Sequence, residues 1–360
     1  MRIPNLVGSI LTTAITLAML VGCAGGSQVP PTAAFQNRPH NGFRLMLRGI
    51  GISRGATAPD FMDRRALAKP LVFISYGGTI GIYQQGGKNK MVGQITVPSS
   101  LDVATDAEGN LYSANVSFSS TSVTVYAPPY TKGPKLTLNG RTSFPIAVSR
   151  RGTVAIFGCT IPSGTQCGSG FLFYAAGSTT PCATVLVDAS TFPGVFGAAF
   201  DGKVNLYFDS PGSGTEAPLP VGRISGGCNA NKVETFTTAN TTAYAGGIKV
   251  DRAGRIAILT AAATSPYMVA IDTYDPPKKG SLGSPVSTTP LPGTLVSNSG
   301  SFAFQASGRG FWTGEEQLGA SYASGASEFA YPAGGSPKKT VTGAPKSQAY
   351  GVAVTPALVP

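Results

Sequence analysis

The sequence predicts an all-β chain, a six-bladed β-propeller whose N- and C-terminal strands close one blade between them. Three observations carry that expectation. A four-strand unit occupies Leu101–Leu138, imperfect copies of it recur to the end of the chain, and two incomplete units at the ends complement each other.

In chain order, Leu71–Val97 supplies LVFISY, GTIGIY and GQITV, the second to fourth strands of a blade with no first strand. In the next unit Leu101, Val103 and Thr105 alternate with small or polar residues, the period of a strand with one covered face. Asp106–Gly109 is a turn, with an Asp to bond the backbone ahead and a Gly free to take a positive φ. Asn110–Asn115 and Ser122–Tyr126 follow as strands, Pro128 and Pro129 end the second of these, and Lys135–Leu138 is a fourth. Four short antiparallel strands are the unit of a propeller blade. The first hairpin recurs as Ile146–Gly158, Gly197–Asp209, Gly247–Leu259 and Phe302–Gly314. The residue after the turn moves from Asn110 to Thr153, Asn205, Arg255 and Arg309, in steps of 43, 52, 50 and 54. The third strand has its own marker, an aromatic ending at Tyr83, Tyr126, Tyr174, Tyr274 and Tyr331. Ala349–Pro356 is then a first strand with nothing after it. Joined to Leu71–Val97 it completes a sixth blade and leaves no open sheet edge, at about 48 residues per blade.

Composition agrees with many short strands and tight loops. Charged residues are 12%, while Gly and Pro number 47 and 28; apolar residues at 42% speak against disorder. The N-terminus is different. Met1-Arg2 precedes the uncharged run Leu6–Val21, and Leu20-Val21-Gly22-Cys23 resembles the lipobox of bacterial lipoproteins. That resemblance implies a signal peptide at 1–22 and Cys23 as the lipidated first residue of the mature chain. Ala24 after it, instead of Asp, implies the outer membrane of a Gram-negative bacterium. Several acyl chains anchor stably where one does not, so the protein is expected to be tethered through lipid. Residues 23–69 read as a linker, flexible at first, with a short helix expected over 60–69, capped by Asp60 and ended by Pro70. Residues 24–70 hold seven basic and two acidic side chains, a charge that suits anionic headgroups. An exported chain whose basic residues do not cluster with aromatics is not expected to bind nucleic acid. Four further cysteines point to disulfides: Cys159 with Cys167 across a hairpin loop, and Cys182 with Cys228 by elimination.

Candidate chemistry is sparse. His40 is the single histidine and lies in the linker, outside every blade, which removes Ser-His-Asp catalysis and His-ligated zinc or copper. Asp102 is the one acidic residue of the inner strands, a poor divalent-cation site by itself. No cofactor is therefore expected, calcium being the one weighed, and the residues favour a binding module over an enzyme. Long loops between second and third strands share one face: Val116–Ser120, Cys159–Ser169, Asp209–Val221, Thr260–Tyr267 and Thr313–Ala326. Their Asp209, Glu216, Tyr267, Glu315, Glu316 and Tyr322, with Trp312 at a loop base, form the candidate binding rim for a protein, peptide or glycan.

The run Gly109–Pro129 with its weaker copies, entered through Ala66–Ser75, resembles the NHL-repeat and TolB-like six-bladed propellers found among secreted bacterial lipoproteins. The resemblance covers roughly residues 66–360 and implies the fold more than an activity, since such propellers serve many functions. The lipobox, the repeats and the missing catalytic constellation together point to a binding or scaffolding role. The alternative is a metal-dependent hydrolase or lactonase of the gluconolactonase-like type, which holds its metal with Glu, Asn and Asp around the central channel.

Overall fold

The alternating stretches form strands, and tight turns fold consecutive strands back on one another. The structure is a computed structural model that describes residues 60–86, 90–116, 121–140, 145–163, 166–210, 218–241, 244–261, 269–278, 280–292, 301–315, 325–342 and 349–355, all in one compact unit, Ile52–Pro360. The first strands are β1 (Phe61–Met62), β2 (Leu71–Ser75), β3 (Gly77–Gln84), β4 (Met91–Thr105), β5 (Leu111–Val116), β6 (Thr121–Tyr126) and β7 (Leu136–Gly140). Then come β8 (Ile146–Val148), β9 (Val154–Ser163), β10 (Gln166–Tyr174), β11 (Pro181–Leu186), β12 (Gly197–Phe200), β13 (Leu206–Asp209), β14 (Pro218–Ile224) and β15 (Val233–Thr241). Next are β16 (Tyr244–Val250), β17 (Ile256–Ala261), β18 (Val269–Tyr274), β19 (Ser281–Gly283) and β20 (Ser287–Leu291). The last are β21 (Phe302–Phe304), β22 (Gly310–Glu315), β23 (Gly325–Ala330), β24 (Lys339–Thr342) and β25 (Gly351–Thr355).

The fold is all-β, with a propeller-like arrangement of sheets. Four sheets have the size of a blade: β8–β11, β12–β15 with β19 added at its outer edge, β16-β17-β18-β20, and β21–β24. The remaining strands make one eight-stranded sheet, ordered β25-β2-β3-β4-β5-β6-β7 with β1 on β4. Six separate blades were expected, and hydrogen bonding separates four. The reason is the 15-residue β4, which pairs with β3 through its first half and with β5 through its second, so the ladder runs on unbroken. The C-terminal β25 pairs antiparallel with β2, from Gly351 opposite Ser75 to Thr355 opposite Leu71.

The core is divided among the junctions between sheets. Phe171 of β10 meets Phe208 of β13 at 5.0 Å between ring centroids, and Phe192 meets Phe208 at 4.9 Å. These rings are buried, and truncating one such ring to Ala costs about 3–5 kcal/mol. Similar apolar clusters join β12–β15 to β16–β18 and join β16–β18 to β21–β23. Others join β22–β24 to β2 and β25, and β5–β7 to β8–β10. One cluster lies inside the eight-stranded sheet itself. There Phe73, Ile80, Ile82 and Ile95 pack on Val103, Leu111, Tyr126 and Tyr130, with Phe73 edge-on to Tyr130 at 5.2 Å.

The repeated turn after each inner strand follows from one side chain. Asp106 accepts the N–H groups of Glu108 and Asn110 at 3.0 and 2.8 Å, Asp201 those of Lys203 and Asn205, both at 2.8 Å, and Asp251 those of Ala253 and Arg255 at 2.8 and 2.9 Å. A carboxylate thereby satisfies two turn amides that no strand could reach. In the copy that starts at Ile146, Ser149 accepts from Thr153 instead.

Two local expectations are corrected, and one disulfide pairing is borne out. Residues 60–69 form β1 and a 3-10 turn at Arg64–Ala68, capped by Asp63, which accepts from the Arg65 N–H. Asp60 is occupied elsewhere, accepting from the Thr96 N–H at 2.6 Å. The segment Cys159–Ser169 is mostly strand, because β9 and β10 continue pairing out to Ser163 and Gln166. A disulfide joins Cys182 of β11 to Cys228 in the 3-10 turn Gly227–Asn229, linking two neighbouring sheets. Cys159 and Cys167 lie on β9 and β10, but their side chains are outside the described residues.

Candidate functional site

Inner strands from every part of the ring converge on a central channel. β4, β8, β12, β16, β21 and β25 line a cavity of about 80 Å³, room for a few heavy atoms. Small residues make this convergence possible. A Cβ on Gly197 would strike the Gly247 Cα and the Ile248 N–H, and one on Gly351 would lie 2.9 Å from the Asp102 Cα.

Side chains, not ladders, bridge these inner strands. The Thr105 hydroxyl donates to the Val354 carbonyl at 2.7 Å, and the Ser301 hydroxyl accepts from the Val352 N–H at 3.0 Å. Asp102 accepts the Ile146 N–H at 3.2 Å and its own neighbour Val103 at 2.9 Å, and it bonds Ser301. Asp209, fully buried, accepts the Gly247 N–H at 3.2 Å and that of Gly197. Among the described residues its second oxygen, Oδ1, has no partner.

The most informative residue is Lys249. Aligned by the turn that ends each inner strand, the equivalent positions are Ala104, Ala147, Ala199, Ala303 and Ala353, all lining the same cavity. Five alanines and one lysine mean that the ring's geometry does not require the lysine. Lys249 also lines a smaller neighbouring cavity with Asp102, Ser301 and the Gly197 and Gly247 backbones. Among the described residues its ammonium makes no ion pair within 4 Å and no hydrogen bond; Asp102 and Asp209 act on it through space. Burial pushes the lysine below its ordinary range against the pull of those carboxylates. Burial likewise raises the Asp102 carboxyl, against the field of Lys249 and the N–H groups it accepts. It pushes Asp209 up to about 7, against the amides of Gly247 and Gly197.

The residues singled out in the sequence fare differently. Asp209 and Trp312 are both wholly buried, so neither stands on an exposed rim. Trp312 packs with Val72, Ile74 and Val341 where β22–β24 meet β2, and Lys339 lies 6.0 Å above its ring. Glu315 ends β22, with its side chain outside the described residues. Glu216, Tyr267, Glu316, Tyr322, His40 and Cys23 are outside them altogether. Asp102 lines the smaller cavity beside the channel. Lys249 does not stand out in the sequence, because a metal site on the inner strands calls for acids and not for a lysine. Its signal was a charged residue in the segment GIKV, whose counterparts are apolar at that place. Among the described residues no three His, Cys, Asp or Glu side chains gather as a metal-ligating group, and no helix is long and apolar enough to cross a membrane.

No protein-family model matches the chain, and no curated protein matches it. Among solved structures it is similar to a functionally unknown protein from Desulfotomaculum acetoxidans, with TM-score 0.50 and 13% identity over 82% of this chain and 88% of that one. It is also similar to a luciferin-regenerating enzyme, with TM-score 0.46 and 9% identity over 71% and 82% of the two chains. A third is AztD from Citrobacter koseri, with TM-score 0.42 and 10% identity over 79% and 97%. At these identities the likeness speaks to the fold, and the fold's neighbours have unknown or varied functions.

Proposed function

We propose that the chain is a lipid-anchored cell-envelope protein whose six-bladed propeller binds a ligand at its central channel and at the loop-bearing rim around it. The count of six rests on reading the eight-stranded sheet as two blades that share β4. Its two halves pack face to face through Phe73 and Tyr130 just as the separate sheets pack on one another. Each half then contributes one inner strand, β25 or the end of β4, to the channel.

The observation that carries binding is Lys249, an ammonium kept without an ion-pair partner where five equivalent positions hold alanine. A half-buried lysine that no side chain pairs among the described residues carries a desolvation cost, which a ligand meeting it would offset. Tethering rests on Leu20–Cys23 after an apolar run, with Cys23 carrying the lipid, 1–22 as leader, 23–69 as spacer and the outer membrane as address. Glu216, Tyr267, Glu315, Glu316 and Tyr322 on the loop face would add specificity for a protein, peptide or glycan. A metal-dependent hydrolase is the weaker reading, because the Lys249 charge beside Asp102 opposes a divalent cation there.

Native mass spectrometry of the full-length protein extracted from membranes tests the reading. The expected species starts at Cys23 with acyl chains attached and carries additional bound mass. A chain retaining residues 1–22, or one starting elsewhere without lipid, contradicts the tether.

A further inference from the structure

We propose that Lys249 is a covalent capture site for a small aldehyde or ketone, held in the channel as a Schiff base. The inference rests on the channel being the binding site and names the chemical class of what enters it.

Three features of the channel converge on this chemistry. Lys249 lines a cavity of about 80 Å³ whose other walls are mainly alanine, valine and phenylalanine, so a molecule of a few heavy atoms fits beside it and little else does. No ion pair or hydrogen bond ties the nitrogen down among the described residues, which leaves its lone pair available once the proton is gone. A buried carboxyl, Asp102, lines the same smaller cavity as the amine, and a second, Asp209, lies within electrostatic range with one oxygen unpartnered. A site built for a simple anion would keep the lysine charged and exclude carboxylates. A site for a metal ion would exclude the lysine. A half-buried amine that burial pushes below its ordinary range, near carboxyls that burial pushes above theirs, suits addition to a carbonyl.

The step balances without a redox partner. The Nζ lone pair attacks the carbonyl carbon, the C–N bond forms, and the carbonyl oxygen takes a proton as the nitrogen loses one. The carbinolamine C–O bond then breaks with protonation of its oxygen by Asp102, water leaves, and the C=N bond forms. Addition of water reverses the sequence and frees both the carbonyl compound and the amine.

The test uses the full-length protein, acetaldehyde as the probe and cyanoborohydride to trap the imine, near neutral pH, with peptide mapping of every lysine. Lys249 is expected to be alkylated at least about tenfold faster than the exposed Lys135 and Lys203, because burial lowers its pKa. Lys249→Ala restores the residue of the other five inner strands. It is expected to fold with an unchanged circular dichroism spectrum and to lose the fast-labelling site. Asp102→Asn is expected to slow trapping at Lys249 about tenfold without changing the rate at Lys203. Labelling of Lys249 at or below the rate of the exposed lysines in the folded protein overturns the proposal. So does an Asp102→Asn variant that folds and labels at the parent rate. If bound mass persists in native spectra of Lys249→Ala, the channel still binds and only the covalent step is refuted.

Discussion

Replacing Asp209 by Asn isolates the cost of keeping a carboxyl at the centre of the ring. The side chain is wholly buried, with Oδ2 accepting the Gly247 N–H and Oδ1 left without a donor. Its pKa is pushed up to about 7, whereas the unfolded chain releases that proton near the ordinary carboxylate value. Between those two values the folded state binds more protons than the unfolded state, so stability falls as pH rises through the window and levels off above it. A displacement of roughly three units corresponds to about 4 kcal/mol. Asn keeps an acceptor for the glycine amides and never ionises. Asp209→Asn is therefore expected to match the parent within about 1 kcal/mol near pH 4 and to exceed it by up to about 4 kcal/mol near pH 8. Lys249, pushed the other way, adds stability at higher pH in both proteins, and the variant removes the upward pull of the Asp209 charge on it. Urea unfolding at a series of pH values measures that difference directly. Parallel profiles for the two proteins, or a variant that loses most stability at high pH, would refute the reasoning.

Two other substitutions probe how adjacent sheets are held. Converting Cys182 and Cys228 together to Ser opens a loop of 46 residues, and about 2–4 kcal/mol of stability should be lost, read as a lower urea midpoint. An unchanged midpoint in the oxidised parent and the variant would show that the link constrains nothing. Asp251 caps its turn and also holds the Arg255 guanidinium at 2.8 Å and the Tyr331 hydroxyl of the next sheet at 3.1 Å, whereas Asp201, among the described residues, bonds within its own turn. Asp251→Ala should cost about 2–4 kcal/mol and Asp201→Ala about 1–2, and equal losses would remove the inter-sheet contribution.

Much of the fold was legible because each strand carries its own evidence. The alternation from Leu101 to Thr105, the Asp106 turn and the stop at Pro128 and Pro129 each act locally, and β5, β6 and β7 fall within a residue or two of their expected places. Pairing of the last strand with β2 was legible for the same reason, as two incomplete units needed each other. The fusion through β4 was not. Pro98, Ser99 and Ser100 look like a break between units, yet the backbone stays extended across them and the ladder passes from one partner to the other. Similarly, β9 and β10 outrun their apolar cores because Cys159–Ser163 keeps pairing with Gln166–Ser169, whose Ser and Gly residues read as loop. The candidate site was less legible. Asp209 stands at the end of an apolar strand where a loop begins, and only the close approach of Gly197 to Gly247 shows that this place is sealed. Lys249 was visible only against its five alanine counterparts, a comparison that needs the strands in register.

The channel exists only if the last strand closes the ring, so amide hydrogen exchange along β25 tests the account most directly. Val352 and Val354 are buried opposite Ile74 and Val72, and their amides should exchange no faster than those of Phe208 and Phe311, through global unfolding alone. Exchange at β25 orders of magnitude faster than at those core strands, with the rest of the protein still protected, would contradict a closed ring and the site within it.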